Sequence, residues 1–220
     1  MKYKAVIFDF DGVIVDSEVI FTSALHDFFL TLGIDADQTL LNQFTGIPVH
    51  ATIRKIESLL PEKRSEEELQ AGLANMYRTC IAGHYAKPMP YVQEFFDLLR
   101  GKGIRTALGT SRGKDNVLEY IRDVGLDMPF DIVVTHEDVT HGKPDPETFL
   151  VCAEKLKELG IEKNEIMIIE DSENGIRAGK ASGIFTIGFK GSAVVQNTSA
   201  ADREVTSYRE IEDIIFNESE

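Results

Sequence analysis

The chain has 220 residues, 43% of them hydrophobic, and its 23 Lys and Arg against 37 Asp and Glu give a formal net charge of -14. That length suits one sizeable core or a core with a smaller insert, and the negative excess disfavours nucleic acid and anionic membrane as partners. No apolar run approaches a membrane span and no charged-then-apolar leader precedes the first strand, so a cytoplasmic protein is expected.

In chain order, Ala5-Val6-Ile7-Phe8 is apolar on both alternating faces, which predicts a strand covered on both sides in a parallel sheet. Asp9 and Asp11 follow, and acidic groups belong in such a core only near its edge, so both are expected at the strand's carboxyl end. From Asp16 and Ser17 the period turns helical: Phe21, Leu25, Phe28 and Leu32 recur at three and four residues, and Gly33 closes the run. Helical character continues through Leu40 to Phe44, through Ile53 to Leu60 before Pro61, and past a capping box of Ser65 and Glu68 into Leu69, Leu73, Met76 and Cys80.

Lys87-Pro88-Met89-Pro90 then punctuates the chain, and strands begin to alternate with helices. Strands are predicted over Arg105 to Gly109, Phe130 to Thr135, Ile166 to Ile169 and Phe185 to Gly188. Helices are predicted around Phe95, Leu98 and Leu99, over Asp115 to Val124, Pro146 to Leu159 and Asn174 to Ala181, and around Ile211, Ile214 and Ile215. The fold class expected is α/β: a doubly wound, Rossmann-like parallel sheet from residues 1–16 and 86–220, with an all-α insert, residues 17–85, directly after the first strand. Cys80 and Cys152 fall in different predicted helices, which favours buried thiols over a disulfide framework.

Four polar clusters follow apolar strands: Asp9 with Asp11, Thr110 with Ser111, the loop holding Lys143, and Glu170 with Asp171. In a parallel sheet these ends share the edge where ligands bind, and Asp9 and Asp11, one residue apart on an extended backbone, are expected to aim two carboxylates at one point. A hard cation, Mg²⁺ above all, would neutralise such a point. The residue types suit phosphoryl transfer. One carboxylate can attack phosphorus, a second can protonate the leaving oxygen and later accept a proton from water, and a hydroxyl with an ammonium can hold the nonbridging oxygens.

Asp9-Phe10-Asp11-Gly12-Val13-Ile14-Val15-Asp16-Ser17, Thr110 at a strand end, Lys143-Pro144-Asp145-Pro146, and Glu170-Asp171-Ser172-Glu173-Asn174-Gly175 together resemble the four motifs of the haloacid dehalogenase (HAD) superfamily. More narrowly, the chain resembles its branch of small phosphatases and β-phosphoglucomutase-like proteins with a helical cap between the first two motifs. The resemblance implies Asp9 as nucleophile, and Asp11 as general acid and base whose backbone carbonyl also faces Mg²⁺. It implies Thr110 as a phosphoryl-binding group, Lys143 as a group that steadies both nucleophile and phosphate, and Asp171 as a Mg²⁺ ligand with Glu170 beside it as the candidate for a second. Ser111, and Gly46 and His50 in the cap, are further candidates for substrate contact.

The activity so implied is Mg²⁺-dependent hydrolysis of a small phosphorylated metabolite through phospho-Asp9, by a monomer or weak homodimer, with hinges near Val13 to Ser17 and Tyr85 to Pro90. Phe21 stands where mutase members carry a histidine, and Thr45-Gly46-Ile47-Pro48-Val49-His50 lacks the arginine mutases tend to have there. A sugar-phosphate isomerase and a non-catalytic phosphate-binding protein are the alternatives. Arg112 and Lys114 could draw an anion to the site or serve as solvated surface charges.

Overall fold

The computed structural model describes residues 2–16, 18–44, 49–82, 87–192 and 197–217, with side chains throughout these except at 18, 19, 81, 82, 115, 116 and 119. Two compact units make up the chain: Met1–Asp16 with Pro88–Glu220, and Ser17–Lys87. The first unit opens with β1 (Ala5–Phe8) and β2 (Val15–Asp16), and the second holds α1 (Glu18–Thr31), α2 (Gln38–Asn42), α3 (Val49–Leu59) and α4 (Glu66–Ala82). After β3 (Lys87–Pro88) come α5 (Val92–Gly101), β4 (Arg105–Gly109), α6 (Lys114–Asp123), β5 (Ile132–Val134) and α7 (Glu147–Glu158). The chain ends with β6 (Ile166–Glu170), α8 (Glu173–Ser182), β7 (Phe185–Phe189), β8 (Arg203–Val205) and α9 (Tyr208–Phe216).

Six strands form one parallel sheet in the order β5-β4-β1-β6-β7-β8. The α/β class read from the sequence is the class observed. β1 lies inside the sheet, and all four of its residues are fully buried, as an apolar run on both faces requires. Phe8 stands level with Leu108 of β4 and with Ile169 of β6, so the residues that follow on each strand leave the sheet at one height.

Side-chain alternation splits the core between the two faces. Ala5, Ile7, Ala107, Ile166 and Ile168 pack with Phe149, Cys152 and Leu156 of α7 and Ala178 of α8. On the opposite face Phe8 meets the rings of Phe95 and Phe96 from α5, of Phe130, and of Tyr208 from α9, with centroids 5.9 to 6.5 Å apart. Each such pair adds about 0.5–1.5 kcal/mol beyond area burial.

The structure departs from the sequence reading at the sheet margins. β5 covers only Ile132–Val134 of the run expected from Phe130 to Thr135, because Phe130 turns its ring onto Phe8 and Phe96 ahead of the ladder. A sixth strand, β8, was not anticipated. Its Arg203 and Glu204 are exposed and only Val205 is buried, so it carries no apolar run to read. The second unit packs around Leu25, Phe29, Leu41, Phe44, Ile53, Ile56 and Leu69. Its α4 follows Ser65, whose Oγ accepts from the Glu68 amide at 3.1 Å, one half of the expected capping box, while the Glu68 carboxylate accepts from Arg64 at 2.9 Å. Both cysteines are free and buried, and burial pushes the Cys152 thiol up to about 12. Among the described residues no helix is long and apolar enough to cross a membrane.

Candidate active site

β1 ends by directing Asp9 into the sheet edge, where the carboxylate is buried. β6 ends one strand away with Glu170 and Asp171, also buried. Ligand atoms of these three acids lie within 4.8 Å of one another. Into this cluster reaches Lys143, from the loop between β5 and α7. Its Nζ donates to Asp9 Oδ1 at 2.6 Å, to Glu170 Oε1 at 2.8 Å and to the Gly109 carbonyl at 3.1 Å. Three carboxylates against one ammonium leave two negative charges uncompensated in a poorly solvated place. Burial, opposed by Lys143, pushes Asp9 up to about 7, and burial with the charges of Glu170, Asp9 and Asp11 raises Asp171 well above the usual carboxylate range. The same neighbours hold Lys143 charged despite its burial.

The oxygens divide by partner. Glu170 is occupied on both sides, since Oε1 accepts from Lys143 while Oε2 accepts from the Ser172 amide at 2.7 Å and its hydroxyl at 3.0 Å. Ser172 Oγ in turn accepts from the Gly175 amide at 3.0 Å and so caps α8. Glu170 therefore orients Lys143, and no donor among the described residues reaches Asp9 Oδ2 or the Asp171 carboxylate. Buried, undonated carboxylate oxygens with excess negative charge form a hard donor set that fits a divalent cation of the Mg²⁺ kind.

Two glycines make this crowding possible. A Cβ on Gly12, whose φ is +68°, would stand 1.9 Å from Asp171 Oδ2, and one on Gly175 would stand 1.7 Å from Glu170 Oε1. The turn after Asp11 is closed by the Ile14 amide donating to the Phe10 carbonyl at 2.9 Å and the Gly12 amide to Val15 at 2.8 Å. From α9, the buried Tyr208 hydroxyl donates to the Val13 carbonyl at 2.7 Å and ties that turn to the core.

Asp11 corrects an expectation. Its carboxylate does not converge with that of Asp9 but stands 41% exposed, gripped by Arg112 through two bonds of 2.7 Å, Nε to Oδ2 and Nη2 to Oδ1. β1 ends at Phe8 and the chain bends at Phe10, between the two acids, so Asp9 and Asp11 do not share a side of an extended strand. Asp11 lies outside the trio of acids that cluster at the sheet edge. Sequence reasoning also undervalued Arg112, whose guanidinium lies 5.3 Å from the ring centroids of both Phe10 and Tyr120. Spacing alone carried no signal for this, because nothing local distinguishes a gripping arginine from a solvated one.

Thr110 is buried at the end of β4, beside Gly109, and its Oγ1 accepts from the Arg112 amide at 3.1 Å, leaving the hydroxyl proton for an incoming oxygen. Ser111 is exposed on the following bend, and Lys114 begins α6, also exposed. In the second unit His50 is exposed in the first turn of α3, while Gly46 lies outside the described residues.

The chain is similar to known proteins over most of its length. Residues 6–189 match the family model described as haloacid dehalogenase-like hydrolase. A phosphorylated carbohydrates phosphatase of Thermotoga maritima is 30% identical over 181 residues, 82% of either chain. The pyrophosphatase PpaX of Bacillus velezensis is 31% identical over 196 residues, 85% of this chain and 83% of that one. A Thermotoga maritima crystal structure provisionally assigned as a β-phosphoglucomutase superposes with a TM-score of 0.79 at 28% identity, covering 96% of this chain and 98% of the other. With phosphatases among its relatives and a match over most of its length, the chain is a phosphoric monoester hydrolase, and it belongs to the haloacid dehalogenase-like hydrolase family.

Proposed function

We propose that the chain is a Mg²⁺-dependent phosphatase that hydrolyses a small phosphomonoester through a phosphorylated Asp9. The observation that carries this reading is the buried cluster of Asp9, Glu170 and Asp171 around Lys143, which concentrates negative charge where a nucleophile, a cation site and a phosphoryl anchor have to coincide. A carboxylate oxygen of Asp9 attacks phosphorus as the ester P–O bond breaks, and Asp11 delivers its proton to the leaving oxygen. Asp11, now a carboxylate, takes a proton from water; the water oxygen bonds to phosphorus, and the bond from phosphorus to Asp9 breaks. Lys143 and the Thr110 hydroxyl hold the nonbridging oxygens through both steps. Mg²⁺ held by Asp9 and Asp171 supplies positive charge for those oxygens.

In this reading the helical insert, residues 17–85, is the cap domain, and His50 and Gly46 within it are the proposed substrate contacts. Phe21 packs against the core of the helical unit and can donate no proton, which supports hydrolysis over the mutase alternative. The names of two relatives make phosphorylated carbohydrates and pyrophosphate the first compounds to assay. Phosphate release should require Mg²⁺, stop with EDTA, and fall by about 10³-fold or more in Asp9→Asn, the loss expected when a covalent nucleophile is removed. Near-full turnover by Asp9→Asn would rule out the covalent route.

A further inference from the structure

All six strands run parallel, so the residues that lead into β1, β6, β7 and β8 gather at the sheet edge opposite the acidic cluster. There Lys2, Tyr3, Lys163, Lys180, Phe185 and Asp202 line an open cleft of about 330 Å³. β6 runs from this edge to Glu170, five residues or about 16 Å of extended chain, so the cleft is remote from the catalytic edge. Three lysines face one acid, a surplus of two positive charges in a chain of net charge -14. Asp202 is already occupied, its Oδ1 by the Lys180 ammonium and its Oδ2 by the Thr186 amide at 2.9 Å. Beside the cleft, Glu165 is occupied in the same way, by Lys4 at 2.5 Å and by the Glu162 amide at 3.0 Å, and the Glu162 side chain accepts from the Glu165 amide. Among the described residues no carboxylate pairs with Lys2 or Lys163. Lys163 Nζ uses one of its three donors on the Ser182 carbonyl at 3.1 Å. Lys2 Nζ lies 5.2 Å from the Tyr3 ring centroid and 5.9 Å from that of Phe185, and these rings hold the ammonium at the cleft wall.

We propose that this cleft is a second binding site, for a small anion that carries two or more linked phosphate groups. A surplus of two charges calls for a ligand that is at least divalent, and a concave wall concentrates their field on it. Lysine binds phosphate as a point charge on a flexible stem, with three donors that can follow tetrahedral oxygens, and the lining contains no arginine fork to favour a planar carboxylate. The cleft has the volume of about ten waters at ~30 Å³ each, so a single phosphate leaves much of it empty, whereas a run of two or three phosphates fills it. The site shares no residue with the catalytic edge, and its existence does not depend on the phosphatase reading.

The probe is inorganic tripolyphosphate, titrated calorimetrically into the full chain in Mg²⁺-free buffer, where the acidic cluster of the active site repels polyanions. At ~0.15 M NaCl general attraction is screened beyond about 8 Å, and the probe should still bind at one saturable site. Inorganic phosphate and citrate should each bind about tenfold more weakly or less. Lys2→Gln combined with Lys163→Gln, which removes both unpaired charges and keeps a donor for the Ser182 carbonyl, should weaken tripolyphosphate by about tenfold or more, and Lys2→Gln alone by about threefold. Lys4→Gln removes a charge at the same edge that Glu165 already holds, and Lys143→Gln one at the catalytic edge; both should leave binding within about twofold of wild type. Melting temperatures measured alongside certify that each variant is folded, and Lys2→Gln, at the exposed start of the chain, carries the test if the double variant is not. Absence of binding at millimolar tripolyphosphate, wild-type affinity in folded Lys2→Gln, or an equal loss in Lys4→Gln or Lys143→Gln overturns the site. Citrate or single phosphate bound as tightly as tripolyphosphate overturns the ligand class.

Discussion

At Gly175, two physical effects predict opposite signs. The residue lies in the first turn of α8, where alanine is the better helix former by about 0.5–1 kcal/mol. A methyl group there would sit 1.7 Å from Glu170 Oε1, the oxygen that receives Lys143, and Glu170 is fully buried with nowhere to withdraw. Overpacking of this kind costs about 1–3 kcal/mol, so sterics win and Gly175→Ala should be less stable than wild type by about 1–2 kcal/mol in urea denaturation. The displacement should also move Lys143 away from Asp9, and phosphate release should drop by about tenfold or more as a phosphoryl anchor is misplaced. A variant as stable and active as wild type would mean that Glu170 does not set the position of Lys143. At this scale Asp9, Lys143, Glu170 and Asp171 were legible in the sequence, since each follows an apolar run toward one sheet edge. The Arg112–Asp11 grip was not, because the pairing joins residues 101 apart once the chain has bent at Phe10.

Secondary elements position the site through a few ties, of which Tyr208 is the most exposed to test. Its ring packs among Phe8, Phe95 and Phe189 at 4.8 to 6.5 Å, and its hydroxyl meets the Val13 carbonyl just past the catalytic turn. Tyr208→Phe keeps the packing and removes only the donor, leaving a buried carbonyl unsatisfied, so it should cost about 1–3 kcal/mol. Because the tie holds the turn that carries Asp11, kcat should fall more than KM rises; a variant with wild-type stability would show the hydroxyl to be dispensable. Strand legibility followed burial. β1, β4 and β6 could be read because their residues face helices on both sides, whereas β8 lies at the sheet edge with Arg203 and Glu204 in solvent and looks like a loop in sequence. The helical insert was legible for the converse reason: its apolar residues recur at helical spacing and close a core of their own.

For the whole molecule, the acidic cluster links stability to pH and to Mg²⁺. In the cation-free folded chain Asp9 stays protonated up to about 7, whereas in the unfolded chain it ionises near its ordinary value of 3.8. Folding thus takes up a proton between those two values, and the stability it confers is full below the lower value and lost as pH rises through the higher one. Asp171, raised by burial and the same neighbours, acts in the same direction. The overall charge of -14 also weakens the fold as carboxylates ionise, but that repulsion is largely between solvated groups and is screened beyond about 8 Å at ~0.15 M salt. Added NaCl should therefore remove the general part of the pH dependence and leave the part owed to the buried acids. Mg²⁺ competes with protons for the same oxygens, so its stabilising effect should grow as they ionise. In thermal melts at constant ionic strength, millimolar Mg²⁺ should raise the melting temperature by several degrees at pH 8 and much less at pH 5.5. Asp171→Asn, which removes a proposed ligand and one of the repelling charges, should melt higher than wild type in EDTA at pH 8 and respond little to Mg²⁺. Equal Mg²⁺ shifts at both pH values would separate the cation from these carboxylates and place its effect on the general surface charge instead.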